Sequence, residues 1–170
     1  MSSRGQVSLN WWGPGTVPAS PAIVWCKFPE IEALGKPGPK DRPALVFKSR
    51  FADDPPGERY LVLVAYGTSV AKLGKRRHDF TIGNEMMLNL LRLPQITRFD
   101  LDRVLWLPWA RPFFAPRDDD KHSTPVVSVL PVSLKEILMW TMAEREQLGL
   151  NAAYHGALAP VRLDPPASTE

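Results

Sequence analysis

The chain has 170 residues, 44% of them hydrophobic and 23% charged, which is typical of one globular domain with a buried core. Its formal net charge of +3 permits an anionic partner but is too small to indicate one. The single cysteine, Cys26, excludes a disulfide framework and a zinc site made of several thiolates, and its apolar neighbours predict a buried position.

The two ends of the chain differ in composition from its middle. Residues 1–20 are punctuated by Gly, Pro and Ser, and we expect an extended N-terminal arm whose Trp11 and Trp12 could dock on the body. Residues 151–170 are rich in Ala and Pro, so we expect a disordered tail. Because no signal peptide is recognisable and no apolar stretch reaches the ~18 residues that span a membrane, we expect a cytoplasmic protein.

Residues 21–150 form the predicted domain, in which short apolar runs are separated by turns. Proline is frequent, with 18 residues, and it ends strands because it lacks an amide donor. The run 60–66 (YLVLVAY) is apolar on both faces, which predicts a central strand. The predicted strands are 22–29, 43–47, 60–66, 80–82, 96–102, 104–109 and 126–130.

Two helices are predicted, a short one at 85–93 and a longer one before the tail. Ser133 and Glu136 have the spacing of a capping box that opens the longer helix, and Gly149 is placed to end it. Its predicted apolar face consists of Leu134, Ile137, Leu138 and Met142. This order of elements predicts a mainly β fold, a small barrel with added helices, rather than alternating β–α–β units.

Two polar positions could contact a phosphate. Arg42 directly precedes an apolar strand, and its planar guanidinium can bind two phosphate oxygens. Thr68 and Ser69 follow Gly67 at the end of the central strand, where hydroxyls and backbone amides could cradle an anion. On spacing alone, a solvated arginine and an ordinary turn are the more common explanations.

Arg98 and Asp100 form a third candidate. They lie two residues apart in the alternating strand 96–102, so their side chains project from one face roughly 6–7 Å apart. We expect that face to be open to solvent, because Phe99 and Leu101 occupy the core side. A carboxylate and a guanidinium there could serve as proton acceptor and charge stabiliser for phosphoryl chemistry. The ordinary alternative is a surface ion pair that contributes ~0–1 kcal/mol.

Other polar clusters carry weaker signals. Asp118, Asp119 and Asp120 with His122 could be imagined as a metal site, but adjacent acids in a Pro-flanked loop are more often a solvated turn. The basic run 75–78 (KRRH) could follow an RNA backbone or could simply be exposed. The sequence contains no Gly-rich phosphate loop, nucleophile elbow or Cys-x-x-Cys motif.

The order of these segments resembles the PemK/Kid/MazF toxins. Segment 23–29 (IVWCKFP), a Gly-containing loop and segment 42–46 (RPALV) match the opening of that family. A buried strand ending in Thr-Ser matches 60–69 (YLVLVAYGTS), and the Arg-x-Asp of the Kid branch with a following Arg matches 98–103 (RFDLDR). A last strand then leads into a C-terminal helix. The resemblance covers about residues 20–150.

The resemblance implies an SH3-like barrel with helices, which forms a homodimer, has a cognate antitoxin protein and binds single-stranded RNA in a groove across the dimer interface. It implies that Arg42 binds the phosphate, with Thr68 as the family's hydroxyl residue and Ser69 beside it. It also implies that Arg98 and Asp100 are the acid and base pair.

The reaction that the resemblance implies is endoribonuclease cleavage without a metal or other cofactor. The ribose 2′-OH attacks the adjacent phosphorus and a 2′,3′-cyclic phosphate results. Asp100 would take the 2′-OH proton and Arg98 would support the leaving oxygen. Arg42 and Thr68 would stabilise the charge of the phosphorane.

The first loop departs from the family pattern. The family often carries His or Glu in this loop with Gln before the Arg-Pro, whereas this chain offers Lys36 and Lys40, which could bind phosphate instead. This departure leaves open a catalytically silent barrel that binds RNA or a protein partner. A third alternative is a CcdB-like gyrase poison, since those toxins share the fold, but residues 167–170 (ASTE) lack their aromatic-Gly-hydrophobic tip.

Overall fold

A curled six-stranded antiparallel sheet organises the computed structural model, which describes residues 7–53, 57–69, 78–117 and 123–150. The strands are β1 (Asn10–Trp11), β2 (Ala22–Cys26), β3 (Arg42–Phe51), β4 (Tyr60–Ser69), β5 (Phe80–Ile82), β6 (Thr97–Pro108), β7 (Ala110–Arg111) and β8 (Val126–Val129). The helices are α1 (Glu85–Leu90) and α2 (Val132–Gln147), with short 3-10 turns at Pro14–Thr16 and Ile31–Ala33.

The strand order in the main sheet is β5-β6-β4-β3-β2-β8, and β1 pairs separately with β7. The prediction of a mainly β fold with a C-terminal helix is therefore confirmed. β4 lies between β3 and β6, as its apolar sequence predicts for a central strand. No helix among the described residues is long and apolar enough to cross a membrane.

The predicted strands 96–102 and 104–109 form one continuous strand, β6, with an irregularity in the middle. Val104 pairs with Ala65 while Asp100 pairs with Tyr66, so residues 101–103 bulge out of the ladder with β4. Such a bulge bends the strand and redirects its side chains. The bulge therefore separates the apolar residues 104–108 of β6 from residues 97–100, which include the candidates Arg98 and Asp100.

Each face of the sheet packs on a different covering. One face meets α2, which buries Leu134 and Leu138, and the α1 region, which buries Leu91 and Leu93. The opposite face is covered by aromatic residues around β7 and by the N-terminal arm: Trp109, Phe113, Phe114, Leu9, Trp12 and Val17. Both faces being covered explains why β2, with five buried residues in a row, shows no alternation in sequence.

The N-terminal arm is held by hydrogen bonds from tryptophan side chains as well as by the β1–β7 pair. Trp12 donates its indole N–H to the carbonyl of Phe114 at 2.9 Å, and Trp109 donates its indole N–H to the Thr16 hydroxyl at 3.0 Å. The described part of the predicted arm thus docks on the body. The predicted tail, residues 151–170, lies outside the described residues.

The capping box predicted at Ser133 and Glu136 is wrong. The helix begins at Val132 with Pro131 as its N-cap in extended conformation, and no side chain caps it. The end is as predicted: Gly149 has φ 72°, and its N–H bonds to the carbonyl of Glu146 at 3.0 Å. That left-handed conformation favours glycine.

The apolar face of α2 also differs from the prediction at one position. Leu134 and Leu138 are buried and Met142 packs against the core, but Ile137 is 48% exposed. Leu134, Leu138 and Met142 follow one another at steps of four residues and define the buried stripe, with Ile137 on its flank. Arg145 lies on the same stripe because it is two helical turns after Leu138. Arg145 is accordingly 1% exposed, a buried charge that the apolar pattern did not show.

The short helix α1 ends earlier than predicted. Asn84 caps its start by accepting hydrogen bonds from the N–H groups of Met86 and Met87 at 2.9 and 3.3 Å. Leu90 is the last helical residue, and Arg92 then takes a left-handed φ of 55°. A hydrogen bond from the Arg92 guanidinium to the carbonyl of Val127, at 2.9 Å, holds this end against β8.

Candidate functional site

The sheet register places the predicted phosphate and acid-base residues on one face. Thr68 pairs directly with Arg98, and Tyr66 pairs with Asp100. Arg42 lies two residues along β3 from Ala44, which is the partner of Tyr66, so it is level with Thr68. Directly paired residues of antiparallel strands point to the same side of a sheet, and neighbouring strands are ~4.8 Å apart. Arg42, Thr68 and Arg98 therefore form a row, with Asp100 in the next row.

Position 67 requires glycine because the neighbouring strand β3 approaches it closely, and not because a ligand does. A Cβ atom at Gly67 would lie 2.1 Å from the carbonyl oxygen of Pro43, so no other residue fits without moving β3. The sequence predicted an anion cradle of hydroxyls and backbone amides beside Gly67. In the structure the backbone of β3 occupies that space.

The expectation that the Arg98 and Asp100 face is open to solvent is wrong. Arg98 and Thr68 are 4% exposed and Asp100 is 6% exposed, whereas Arg42 is only half-buried. The physical reason is a second layer of charged groups, since Asp79, the residue before β5, lies against Arg98 with Oδ2 3.5 Å from its Nε. Phe99 and Leu101 do occupy the opposite, core side.

The buried charges extend from β6 to the C-terminal helix. Arg145 of α2 lies 4.0 Å from Asp79, forms an ion pair with Asp102 and donates to the carbonyl of His78 at 2.9 Å. We call Asp79, Arg98, Asp102 and Arg145 the buried ion-pair network, in which Asp102 is the exposed member, with 53% of its side chain accessible. It connects the candidate strand β6 to α2 through charges that are mostly removed from water.

The carboxylates in this region are also held by backbone groups. Asp79 accepts the N–H of Leu101 at 3.1 Å, and Asp100 accepts the N–H of Asp102 at 3.0 Å. Burial raises the pKa of Asp79 above its ordinary value of 3.8. The hydrogen bond from the N–H of Leu101 lowers this pKa, and the negative charge of Asp100 raises it further. The positive charges of Arg98 and Arg145 lower it. Desolvation disfavours the ionised form, and it is the largest of these effects.

Arg42 opens into a cleft of about 360 Å³ beside the row. Two further cations, Lys40 and Arg103, and two aromatic rings, Phe28 and Tyr66, line the same cleft. The guanidinium of Arg103 lies 4.3 Å from the centre of the Tyr66 ring and that of Arg42 lies 5.3 Å from it. Two guanidinium groups thus flank one aromatic side chain in a cleft open to solvent.

Two of the predicted binding residues are not part of this arrangement. Ser69 pairs with Thr97, which alternation places on the face opposite Arg98 and Thr68. Lys36 is exposed in the loop after the 3-10 turn and does not line the cleft, whereas Lys40 does. The structure therefore gathers Arg42, Thr68, Arg98, Asp100 and Lys40, and leaves out Ser69 and Lys36.

Sequence reasoning missed four residues around this face. Tyr66 was readable, because it lies two residues before Thr68 on the same strand and so shares its face. Arg103 was noted only as part of a motif, since its approach to Tyr66 depends on the bulge. Asp79 and Arg145 carried no local signal, because only the packing of α2 beside β6 brings them together.

The remaining sequence candidates give no additional site. Cys26 is buried, and burial raises the pKa of its thiol well above the ordinary 9.0, with a further contribution from Asp41. Burial and the raised pKa both disfavour the thiolate, which is the nucleophilic form of a cysteine. Residues 118–122 and 75–77 lie outside the described residues. Within the described parts of the chain, no group of three or more His, Cys, Asp or Glu side chains could hold a metal ion.

Comparison with known proteins adds no assignment. No protein-family model matches the chain, and no curated protein is found to match it. The resemblance to the PemK/Kid/MazF toxins therefore stays a prediction from the motifs.

Proposed function

We propose that this chain is a toxin-like endoribonuclease of the PemK/Kid/MazF kind, an SH3-like barrel that cleaves single-stranded RNA. The observation that carries the proposal is the row of Arg42, Thr68 and Arg98 beside Asp100, four residues from three distant parts of the sequence that share one sheet face. They were selected by sequence motifs alone, and a solvated arginine or an ordinary turn does not require them to meet.

The cleft supports RNA as the ligand. Lys40 and Arg42 supply positive charge for phosphates, and Arg103 and Tyr66 supply planar groups beside them. Proteins that bind single-stranded nucleic acid combine these features, because phosphates need cations and unstacked bases need a flat partner. Arg42 belongs both to the cleft and to the row, so a phosphate bound there would lie next to the acid-base pair.

The proposed reaction uses the RNA's own nucleophile. The bond from O2′ to phosphorus forms and the bond from phosphorus to O5′ breaks, which gives a 2′,3′-cyclic phosphate. Asp100 accepts the proton of the 2′-OH, and Arg98 stabilises the negative charge that develops on O5′ before water protonates it. Arg42 and Thr68 stabilise the phosphorane oxygens. No step requires a metal ion or cofactor.

The decisive experiment compares the wild type with Asp100→Asn on single-stranded RNA. Asparagine keeps the size of the side chain and its acceptor for the Asp102 N–H, but it cannot take a proton. We expect cleavage to fall by ~10²–10⁴-fold, the usual contribution of a general base, while RNA affinity and folding are retained. Wild-type cleavage should continue in excess EDTA and should stop when the nucleotide at the cut lacks its 2′-OH.

A specific observation favours a second function, a catalytically silent barrel that only binds RNA. Arg98 and Asp100 are buried, and Arg98 lies 3.5 Å from Asp79, which is the environment of a structural ion pair. The two functions differ in one result. If wild type and Asp100→Asn bind RNA equally well and neither cleaves it, the nuclease is rejected and the silent barrel is accepted.

The assembly belongs to the same proposal. A toxin of this kind acts in the cytoplasm as a homodimer and is held inactive by a cognate antitoxin. Light scattering of the purified chain tests the dimer, and co-expression with the reading frame next to its gene tests the antitoxin.

A further inference from the structure

We propose that the cleft beside Arg42 is a nucleobase subsite, which takes one base of the RNA on the guanidinium of Arg103 and selects bases that carry an amino group. The inference rests on the proposed RNA binding and adds which part of the RNA enters the cleft. It assigns a role to Arg103, Tyr66, Glu30 and Glu32, none of which takes part in the proposed reaction.

The first argument is the layered stack of side chains in the cleft. Phe28 is buried and meets the Tyr66 ring edge to face at 5.3 Å. Arg103 lies over the Tyr66 ring at 4.3 Å and donates from Nη2 to the carbonyl of Pro29 at 3.2 Å. The guanidinium also lies 5.5 Å from the centre of the Phe28 ring, so several contacts fix it, and Arg103 as a whole is half-buried and lines the cleft. Arginine planes and aromatic rings are the surfaces on which proteins stack unpaired bases.

The second argument concerns the carboxylates at the mouth of the cleft. Glu30 and Glu32 line it and are exposed, although a carboxylate repels a phosphate. A carboxylate accepts hydrogen bonds from the exocyclic amino groups of adenine, cytosine or guanine. Uracil carries a carbonyl oxygen where cytosine carries its amino group, so at that position it faces a carboxylate with a lone pair and has only its N3–H as a donor. The charge pattern therefore favours amino-bearing bases over uracil.

The third argument is the position of the phosphate ligands. Arg42 and Lys40 line the same cleft as Arg103, and both Arg42 and Arg103 contact the Tyr66 ring. A phosphate on Arg42 and a base on Arg103 are then separated by about one side chain. This spacing fits a base and the phosphate attached to its own nucleotide, so the subsite would select the nucleotide next to the cut.

The test measures binding of two labelled probes, 2′-O-methyl oligonucleotides of six cytidines and of six uridines, which cannot be cleaved by 2′-OH attack. We expect the full chain to bind the cytidine probe about tenfold more tightly, within the range of one good base contact. The double variant Glu30→Ala/Glu32→Ala should lose this preference, mainly because its affinity for the uridine probe rises. The matched control Glu58→Ala/Glu136→Ala removes two exposed glutamates elsewhere and should keep the preference.

Variants of the stack separate shape from charge. Arg103→Lys keeps the positive charge but loses the plane, and we expect both probes to bind roughly 5- to 100-fold more weakly, the range of one lost stacking contact. Binding of neither probe by the wild type would overturn the proposed RNA function itself. Binding without preference, or a preference that survives Glu30→Ala/Glu32→Ala, would overturn the nucleobase subsite and leave RNA binding standing.

Discussion

Two pairs of arginines near β6 lie in opposite environments. Arg98 and Arg145 are 4% and 1% exposed and lie against carboxylates of the buried ion-pair network. Arg42 and Arg103 are half-buried and lie over the Tyr66 ring in the cleft. The contrast separates guanidinium groups that the fold pairs with carboxylates from guanidinium groups that face solvent.

The difference follows from the cost of removing a charge from water. A buried guanidinium loses its hydration and is tolerated only when carboxylates and carbonyl oxygens replace it. A guanidinium over an aromatic ring at the surface keeps part of its hydration and gains a weak attraction from the ring. A ring contact does not use the N–H donors of a guanidinium, so a phosphate can bind them without displacing a carboxylate.

The largest expected effect is on the buried side of this comparison, for Arg145→Met. Methionine fills the volume of the arginine stem but leaves Asp79 without its partner on α2 and the carbonyl of His78 without that donor. We expect the free energy of unfolding to fall by about 3–5 kcal/mol, measured by denaturant titration. Arg145→Lys, which keeps the charge, should lose less. A loss below about 1 kcal/mol for Arg145→Met would mean that the network contributes no more to stability than a surface ion pair does.

The second largest expected effect is on RNA binding, for Arg42→Ala in the solvent-facing pair of arginines. Removing a phosphate contact should weaken binding of all single-stranded RNA sequences and reduce the slope of log affinity against log salt by about 0.7. Turnover should fall as well, because a phosphate anchor acts in the ground state and the transition state alike. Arg50→Ala is the control, since Arg50 is exposed over the Trp106 ring on another part of the sheet. An equal change in slope for both variants would mean that the cleft is not the binding site.

A smaller effect on the free energy of unfolding is expected when an arginine of the solvent-facing pair is replaced. Arg103→Met removes a cation over Tyr66 and one hydrogen bond to the Pro29 carbonyl, both half-exposed. We expect the free energy of unfolding to fall by no more than about 1–2 kcal/mol. The thermal midpoint measured beside that of Arg145→Met checks this difference directly. Equal losses would contradict the division of the arginines into a buried, carboxylate-paired group and a solvent-facing group.

The fold was predictable where one local rule decides. The apolar run of β4 predicted a central strand, and Gly149 predicted the end of α2, because period and backbone conformation are encoded in adjacent residues. The start of α2 was not predictable in this way, since the helix begins at Val132, directly after Pro131, and does not use the side-chain cap that Ser133 offered. The joining of two predicted strands into β6 depended on the bulge, which only the pairing with β4 reveals.

The site was predictable in part for the same reason. Alternation along a strand put Arg98 and Asp100 on one face, but exposure depends on what packs over that face. Asp79 lies against Arg98, and Arg145 reaches Asp79 from α2, although neither residue belongs to any motif. Motifs identified which residues meet on the face, whereas tertiary packing decided that they meet in a buried environment.

The smallest expected effect is on the pH dependence of stability, for Asp79→Asn. Burial raises the pKa of Asp79 in the folded state above its ordinary 3.8, so between these two pKa values the folded chain binds more protons than the unfolded chain. The protonation of Asp79 therefore contributes to the wild type's free energy of unfolding. This contribution is fully present below about pH 3.8 and is lost as the pH rises through the raised pKa. The slope is at most about 1.4 kcal/mol per pH unit. Asparagine keeps an acceptor for the N–H of Leu101 but does not titrate. Urea unfolding from roughly pH 3 to pH 7 should thus show the variant gaining stability relative to the wild type as the pH rises. A relative loss over that range would mean that attraction to Arg98 and Arg145 outweighs the cost of burying the Asp79 carboxylate.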